Sequence, residues 1–150
     1  MISATAEYAL RAAVFLASRP SKPATVQSIA RATKVPAGYL AKVMQDLTAA
    51  GLVNSQRGPG GGFSLARPAP ELTVLDIVNA VDPVQRIRKC PLGNPAHATN
   101  LCPLHRRLDD AMKLVEEALG GSTVAELVDS PANRRTCTAL ARPTAPRIRR

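Results

Sequence analysis

Residues 51–65 read Gly51-Leu52-Val53-Asn54-Ser55-Gln56-Arg57-Gly58-Pro59-Gly60-Gly61-Gly62-Phe63-Ser64-Leu65, and this stretch decides the fold. Positions 52–57 alternate apolar and polar as a strand does, and 63–65 alternate again. Between them Gly58 to Gly62 must turn, because glycine and proline in succession sustain neither helix nor sheet. The expectation is a two-stranded hairpin with a glycine-rich tip.

What precedes the hairpin gives it meaning. Leu40, Val43, Met44 and Leu47 recur at helical spacing and are assigned to core. Pro36 fits the first turn of that helix, where its missing N–H costs nothing, and Gly51 fits the left-handed residue just after its end. Upstream, Thr25 is placed to cap a short helix over 26–32 with Val26, Ile29 and Ala30 on one face, followed by a tight Thr33-Lys34-Val35 turn. Two such helices joined by a few residues predict a helix-turn-helix, and the hairpin directly after the second helix predicts a wing. A first helix over 4–18 carries Tyr8, Leu10, Ala13, Val14, Leu16 and Ala17 around Glu7 and Arg11, and ends at Arg19-Pro20-Ser21-Lys22-Pro23.

Beyond the hairpin, Thr73 and Asp76 have capping-box spacing and open a helix to about Val81, which Asp82-Pro83 ends. Residues 84–102 show no periodicity and read as a loop. From Pro103, Leu104, Leu108, Met112, Val115 and Leu119 form the stripe of a long amphipathic helix closed by Gly120-Gly121. So little chain remains to cover this stripe that it is read as a dimerisation surface. Thr123 and Glu126 form a second capping box before a short last helix. The expected fold is mainly α: a winged helix-turn-helix module over 1–68, a sensor loop and dimerisation helix over 69–130, and a basic, disordered tail over 131–150.

Charge follows the same division. Of the 150 residues, the first seventy hold eight Lys/Arg against two acids, 71–130 hold six against nine, and 131–150 hold six arginines and no acid. A basic amino-terminal half is the electrostatic footprint of phosphate binding, so double-stranded promoter DNA is the expected partner. No apolar run approaches the roughly 20 residues a bilayer span needs. Glu7 and Arg11 also interrupt the only apolar start, so no membrane association and a cytoplasmic location are expected. Cys102 and His105 could serve as nucleophile and base, but no orienting acid or oxyanion motif accompanies them, so an enzyme is not expected. A winged-helix protein that binds RNA, or only other proteins, is the non-sensory rival.

In a helix-turn-helix the first turn of the second helix enters the major groove, which places Ala37, Gly38, Tyr39 and Lys42 at bases or phosphates, with Thr33 and Lys34 just before them at phosphates. In the wing, glycine lets backbone approach the duplex, so Gly58, Gly60 and Gly61 join the interface. Arg57, supported by Gln56, is placed to enter a narrow minor groove.

With these residues in view, the chain resembles the Rrf2 family of bacterial regulators over about residues 1–130. The resemblance is carried by Ala6-Glu7-Tyr8-Ala9-Leu10-Arg11, Gly38-Tyr39-Leu40, Gly51-Leu52-Val53 and Arg57-Gly58-Pro59-Gly60-Gly61-Gly62-Phe63. Leu75-Asp76-Ile77-Val78-Asn79-Ala80-Val81-Asp82 and Thr123-Val124-Ala125-Glu126-Leu127-Val128 extend it. It implies a dimeric winged-helix transcription factor, in the main a repressor, with a sensory loop between wing and dimer helix. The signals it implies are redox, nitric oxide or iron-sulfur status.

The loop itself holds Cys90 and Cys102, with His105 one helical turn after the second and His97 between them, a set with metal-ligand character. Cluster-bearing members of the family commonly have a third cysteine midway, where this chain has Ala96 beside His97. A [2Fe-2S] cluster on two thiolates would need histidine or carboxylate ligands, as in mixed-ligand Rieske centres. Glu7 stands where some relatives supply a carboxylate from the partner subunit. The alternatives are zinc, a direct thiol sensor without metal, or a loop with no sensory chemistry in which Cys102 is a small core residue. Cys137, in the tail, is read as uninvolved.

Overall fold

The computed structural model describes residues 2–97 and 100–129. The expected tail over 131–150, with Cys137, lies outside the described residues. Six helices and one hairpin follow in the order α1 (Ala4–Ala17), α2 (Val26–Thr33), α3 (Ala37–Ala49), β1 (Val53–Gln56), β2 (Gly62–Leu65), α4 (Val74–Val81), α5 (Pro103–Gly120) and α6 (Val124–Asp129). Single 3₁₀ turns occur at Ala69–Glu71 and Pro95–His97.

Local chemistry sets the helix ends. Ser3, Thr25 and Thr73 accept from the backbone N–H three residues on, satisfying donors that the first helical turn leaves open. At α4 the box is reciprocal, since Asp76 accepts from the Thr73 N–H at 3.0 Å. Thr123 and Glu126 make the same exchange at 3.3 Å. Pro36 is the residue before the first helical turn of α3, not within it, and its extended ψ of 130° is the reason. Gly51 takes the expected left-handed conformation, with φ +70°.

The core forms around α1. Ala6, Ala9, Ala12 and Ala13 are completely buried, so this helix meets its neighbours through a face of methyl groups that lets backbones approach closely. α2, α3, α4 and α6 all pack against it, and α3 and α4 also meet each other. Ile29, Leu40, Met44, Leu47, Leu72 and Ile77 fill the centre with no exposed surface. Leu72, Ile77 and Val124 belong to the same cluster as Ala9, Phe15 and Leu47, so the boundary expected at residue 68 does not divide the core. The capped starts of α4 and α6 lie side by side, joined by Val74 N–H to Ser122 O (2.9 Å) and Val124 N–H to Leu72 O (2.8 Å).

β1 and β2 pair antiparallel, with Val53 opposite Leu65 and Gln56 opposite Gly62. Ala24, between α1 and α2, adds a one-residue third strand: its N–H donates to Phe63 O at 2.9 Å and its carbonyl accepts from Phe63 N–H at 2.8 Å. The hairpin is thereby fastened to the residue before the Thr25 cap of α2. No sequence pattern announces this contact.

Candidate nucleic-acid interface and cysteine loop

α2 and α3 are joined through Lys34, which adopts the left-handed conformation (φ 60°, ψ 32°) and is the one non-glycine residue among those described with positive φ. An L-residue there costs of order 1 kcal/mol that glycine would not. The strained residue presents an exposed cation at the foot of α3. Thr33 does not share this role. It is buried, and its hydroxyl donates to Ile29 O at 2.8 Å, the back-bond to residue i−4 that helical threonines make. Its carbonyl accepts from Arg11 Nη1 at 3.2 Å. The Thr33 hydroxyl is thus engaged within α2 rather than presented outward.

On α3, Leu40, Val43, Met44 and Leu47 face the core as expected, leaving Ala37, Gly38, Tyr39 and Lys42 exposed along the outer face. Lys42 pairs with Asp46 one turn on (3.2 Å), an exposed i, i+4 contact worth tenths of a kcal/mol that a phosphate can displace. Tyr39 is anchored on one side only. Its ring meets Tyr8 edge-on at 5.5 Å and its hydroxyl bonds that of Thr5, while 48% of the residue stays exposed. It is both a packing residue and an outward-facing one, fixed relative to α1.

In the wing the glycines divide by role. A Cβ at Gly58 (φ +93°) or Gly60 (φ +72°) would meet nothing within 4 Å, so these residues supply the turn and an open backbone. A Cβ at Gly61 would lie 2.4 Å from Gln56 O, and one at Gly62 would lie 2.6 Å from the Ala24 backbone. Gly61 is thus required by the hairpin's own closure. Gln56 and Arg57 are exposed beside the open turn.

The cysteines are held as two separate thiol–imidazole pairs. Cys102 caps α5, its Sγ accepting from His105 N–H at 3.5 Å and lying 3.2 Å from His105 Nδ1. Cys90 sits in a turn closed by Gly93 N–H to Cys90 O (3.1 Å), and the following 3₁₀ turn brings back His97. The backbone N–H of Asn94, then the His97 side chain and the Leu92 N–H, hold the Cys90 thiol below its ordinary pKa. The carboxylate of Glu7 is engaged by Arg11. Among the described residues no three His, Cys, Asp or Glu side chains converge as a metal centre requires.

Sequence reasoning missed the clasp at the start of this loop. Arg86 binds Asp109 in bidentate fashion (Nε to Oδ1 2.8 Å, Nη2 to Oδ2 2.7 Å) and reaches Glu116 at 2.9 Å, while Ile87 N–H also donates to Asp109 at 2.8 Å. The Arg86 guanidinium lowers the Asp109 carboxyl to about 2. Opposite charges 23 and 30 residues apart carry no periodic signal, so only the fold discloses the pairing.

α5 buries no residue along its 18 positions, and Leu104, Leu108, Leu114 and Val115 are exposed, Leu104 and Leu114 by about two thirds. Between this helix, the start of α1 and the end of α4 runs a groove of about 770 Å³ whose walls include Ile2, Ala6, Val78, Met112, Val115 and Leu119. No helix among the described residues is long and apolar enough to cross a membrane.

Comparison with known proteins agrees with this architecture. Residues 2–130 match the model of the Rrf2 family, described as iron-dependent transcriptional regulators. An HTH-type transcriptional regulator of Aquifex aeolicus is 32% identical over 132 residues, covering 86% of this chain and 92% of that protein. Among solved structures, CymR, the global cysteine regulator of B. subtilis, superposes with TM-score 0.70 at 26% identity, over 85% of this chain and 95% of its own. IscR of T. potens does so with TM-score 0.72 at 25% identity, over 91% and 90%.

Proposed function

Since the chain belongs to the Rrf2 family of transcriptional regulators, we propose that it acts as a homodimeric repressor that reads promoter DNA with α3 and the wing and answers to the state of Cys90 and Cys102. The family and the relatives are regulators, not enzymes. One observation carries the DNA-reading assignment: Lys34 and Arg57 are exposed cations that make no ion pair among the described residues, flanking the exposed first turns of α3 and the open backbone at Gly58 and Gly60. Desolvating an already paired cation is costly, whereas unpaired ones are free to replace the counterions around phosphate.

In this reading Tyr39 and Lys42 approach the major groove from α3, with Ala37 and Gly38 allowing close approach of its first turn. Arg57 enters the minor groove beside the wing. The unburied α5 supports self-association, because a helix whose leucines lie open to water gains most by pairing with a copy of itself. Two copies would present two wings and two recognition helices to a palindromic site.

The test is binding of the full chain to promoter duplex across a salt series. Arg57→Ala is expected to weaken binding and lower the slope of log affinity against log salt by about 1, with no loss of helix content. A slope unchanged by Arg57→Ala, or equal affinity for single-stranded RNA, would sink the assignment.

A sensor built on iron-sulfur or zinc and one built on bare thiols share Cys90 and Cys102. The separation into two thiol–imidazole pairs, with Glu7 held by Arg11, favours the bare thiols.

A further inference from the structure

We infer that Cys90 and Cys102 close reversibly into an intraloop disulfide, and that the Arg86 clasp is what holds the two sulfurs within reach of one another. This rests on the loop being the sensor of the regulator proposed above.

The path of the chain carries the argument. Pro83 and Val84 line the groove together with Met112, Val115 and Leu119. Arg86 then bonds Glu116 and Asp109, and Ile87 bonds Asp109 alone. The segment therefore runs antiparallel to α5, from its last turns toward its amino terminus. Cys90 lies three residues beyond Ile87, and three extended residues span about 10 Å. Cys102 lies seven residues before Asp109, and seven helical residues rise about 10.5 Å. The free leg and the stretch of helix it must cover match in length, so the leg has the reach to bring Cys90 to the level of Cys102.

Both cysteines are also accessible. Each is only partly buried and neither is in a disulfide. After Cys90 comes the turn closed by Gly93 N–H on Cys90 O, and then the 3₁₀ turn at Pro95–His97. The sulfurs need Cα atoms about 4.4–6.8 Å apart to bond. Cys102 would leave its cap on α5 in doing so, because the disulfide takes the sulfur that now accepts from His105 N–H. Oxidation would thus loosen the first turn of the helix proposed to hold the dimer.

The oxidant is a small disulfide of the glutathione class. One cysteine thiolate attacks it, its S–S bond breaks, and one small thiolate leaves. The second cysteine then attacks the mixed disulfide, forms the Cys90–Cys102 bond and expels the second small thiolate. The two protein thiols lose their protons to solvent and two electrons to the small disulfide.

The test uses the full chain with Cys137→Ser, equilibrated in oxidised and reduced glutathione, then alkylated and digested. The tryptic fragment spanning residues 90–106 is expected to be lighter by two hydrogens and to resist alkylation until reduced. Arg86→Met is expected to lower the equilibrium fraction closed by about tenfold, because releasing the anchor dilutes one thiol around the other. Arg86→Lys, which keeps one arm of the clasp, is expected to fall between. Circular dichroism on each variant keeps the comparison to folded protein, and Glu116→Gln, which removes one arm only, serves if Arg86→Met does not fold.

Mixed glutathione adducts on both cysteines with no internal link would overturn the proposal. So would a link that forms equally well in the Arg86 variants, or anaerobically purified protein whose iron and acid-labile sulfide vanish with Cys90→Ser. Promoter binding by the reduced protein is measured in parallel, so failure of the regulator assignment is read independently of the sulfur chemistry.

Discussion

Replacing Gly62 by alanine tests how the wing is fixed. At φ +143° the added Cβ would stand 2.6 Å from both C and O of Ala24 and 3.0 Å from its N, all backbone atoms that no rotamer change can move. Relief requires the Ala24 strand and β2 to part, which breaks the two bonds between Ala24 and Phe63. Each contributes about 0.5–1.5 kcal/mol net. Holding a non-glycine residue at positive φ adds about 1–2 kcal/mol. The sum is a loss of about 2–5 kcal/mol, or about 4–20 °C in Tm for a domain of this size. Gly60→Ala is the control: its φ is also positive, but its Cβ would meet nothing, so only the conformational cost remains. Urea unfolding of both variants beside the parent measures the difference, and amide exchange at Ala24 and Phe63 locates it. If Gly62→Ala were no less stable than Gly60→Ala, the wing would not be held through Ala24 and the reasoning would fail.

Lys34→Gly should stabilise the fold by about 0.5–1 kcal/mol by relieving the left-handed residue, yet weaken duplex binding; thermal melts and a salt titration separate the two effects. Leu108→Glu places a charge in the exposed stripe of α5 and is expected to yield monomer by sedimentation without loss of helix content. The Asp109 carboxyl has its folded pKa lowered to about 2 from an ordinary 3.8. Its stabilisation is therefore complete above about pH 4 and is lost as pH falls through 2. Asp109→Asn should be less stable than the parent at pH 7 and should flatten the acid limb of unfolding between pH 4 and 2, followed by circular dichroism.

Sequence disclosed what depends on neighbours. The capping boxes at Thr73 and Thr123, the stripe on α3, the left-handed Gly51 and the glycine tip of the wing follow from residues within a turn of one another, and all were legible. The engagement of the Thr33 hydroxyl was also within reach of the sequence: a threonine four residues after Ile29 can return its hydroxyl to that carbonyl. Glu7 and Arg11 have the i, i+4 spacing of an ion pair, and the structure forms it. The Ala24–Phe63 bridge and the Arg86 clasp join residues 39 and 23 apart with no periodicity. Backbone pairing of a single alanine leaves no compositional trace. The candidate interface was thus readable residue by residue, whereas what positions it was not.

The closing of the core by α6 on α1 bears on the order in which the protein can be made. α1 (Ala4–Ala17) is made before the rest of the core, but its alanine face awaits α4, ending at Val81, and α6, beginning at Val124. Contacts so distant along the chain form only after the intervening segment has been synthesised and its ends brought together. A nascent chain halted after the wing would hold every residue of the proposed DNA-reading surface, with Tyr39 already anchored on α1, but on a core still open where α4 and α6 pack. The support beneath the proposed reading surface is therefore complete only once α6 has been made.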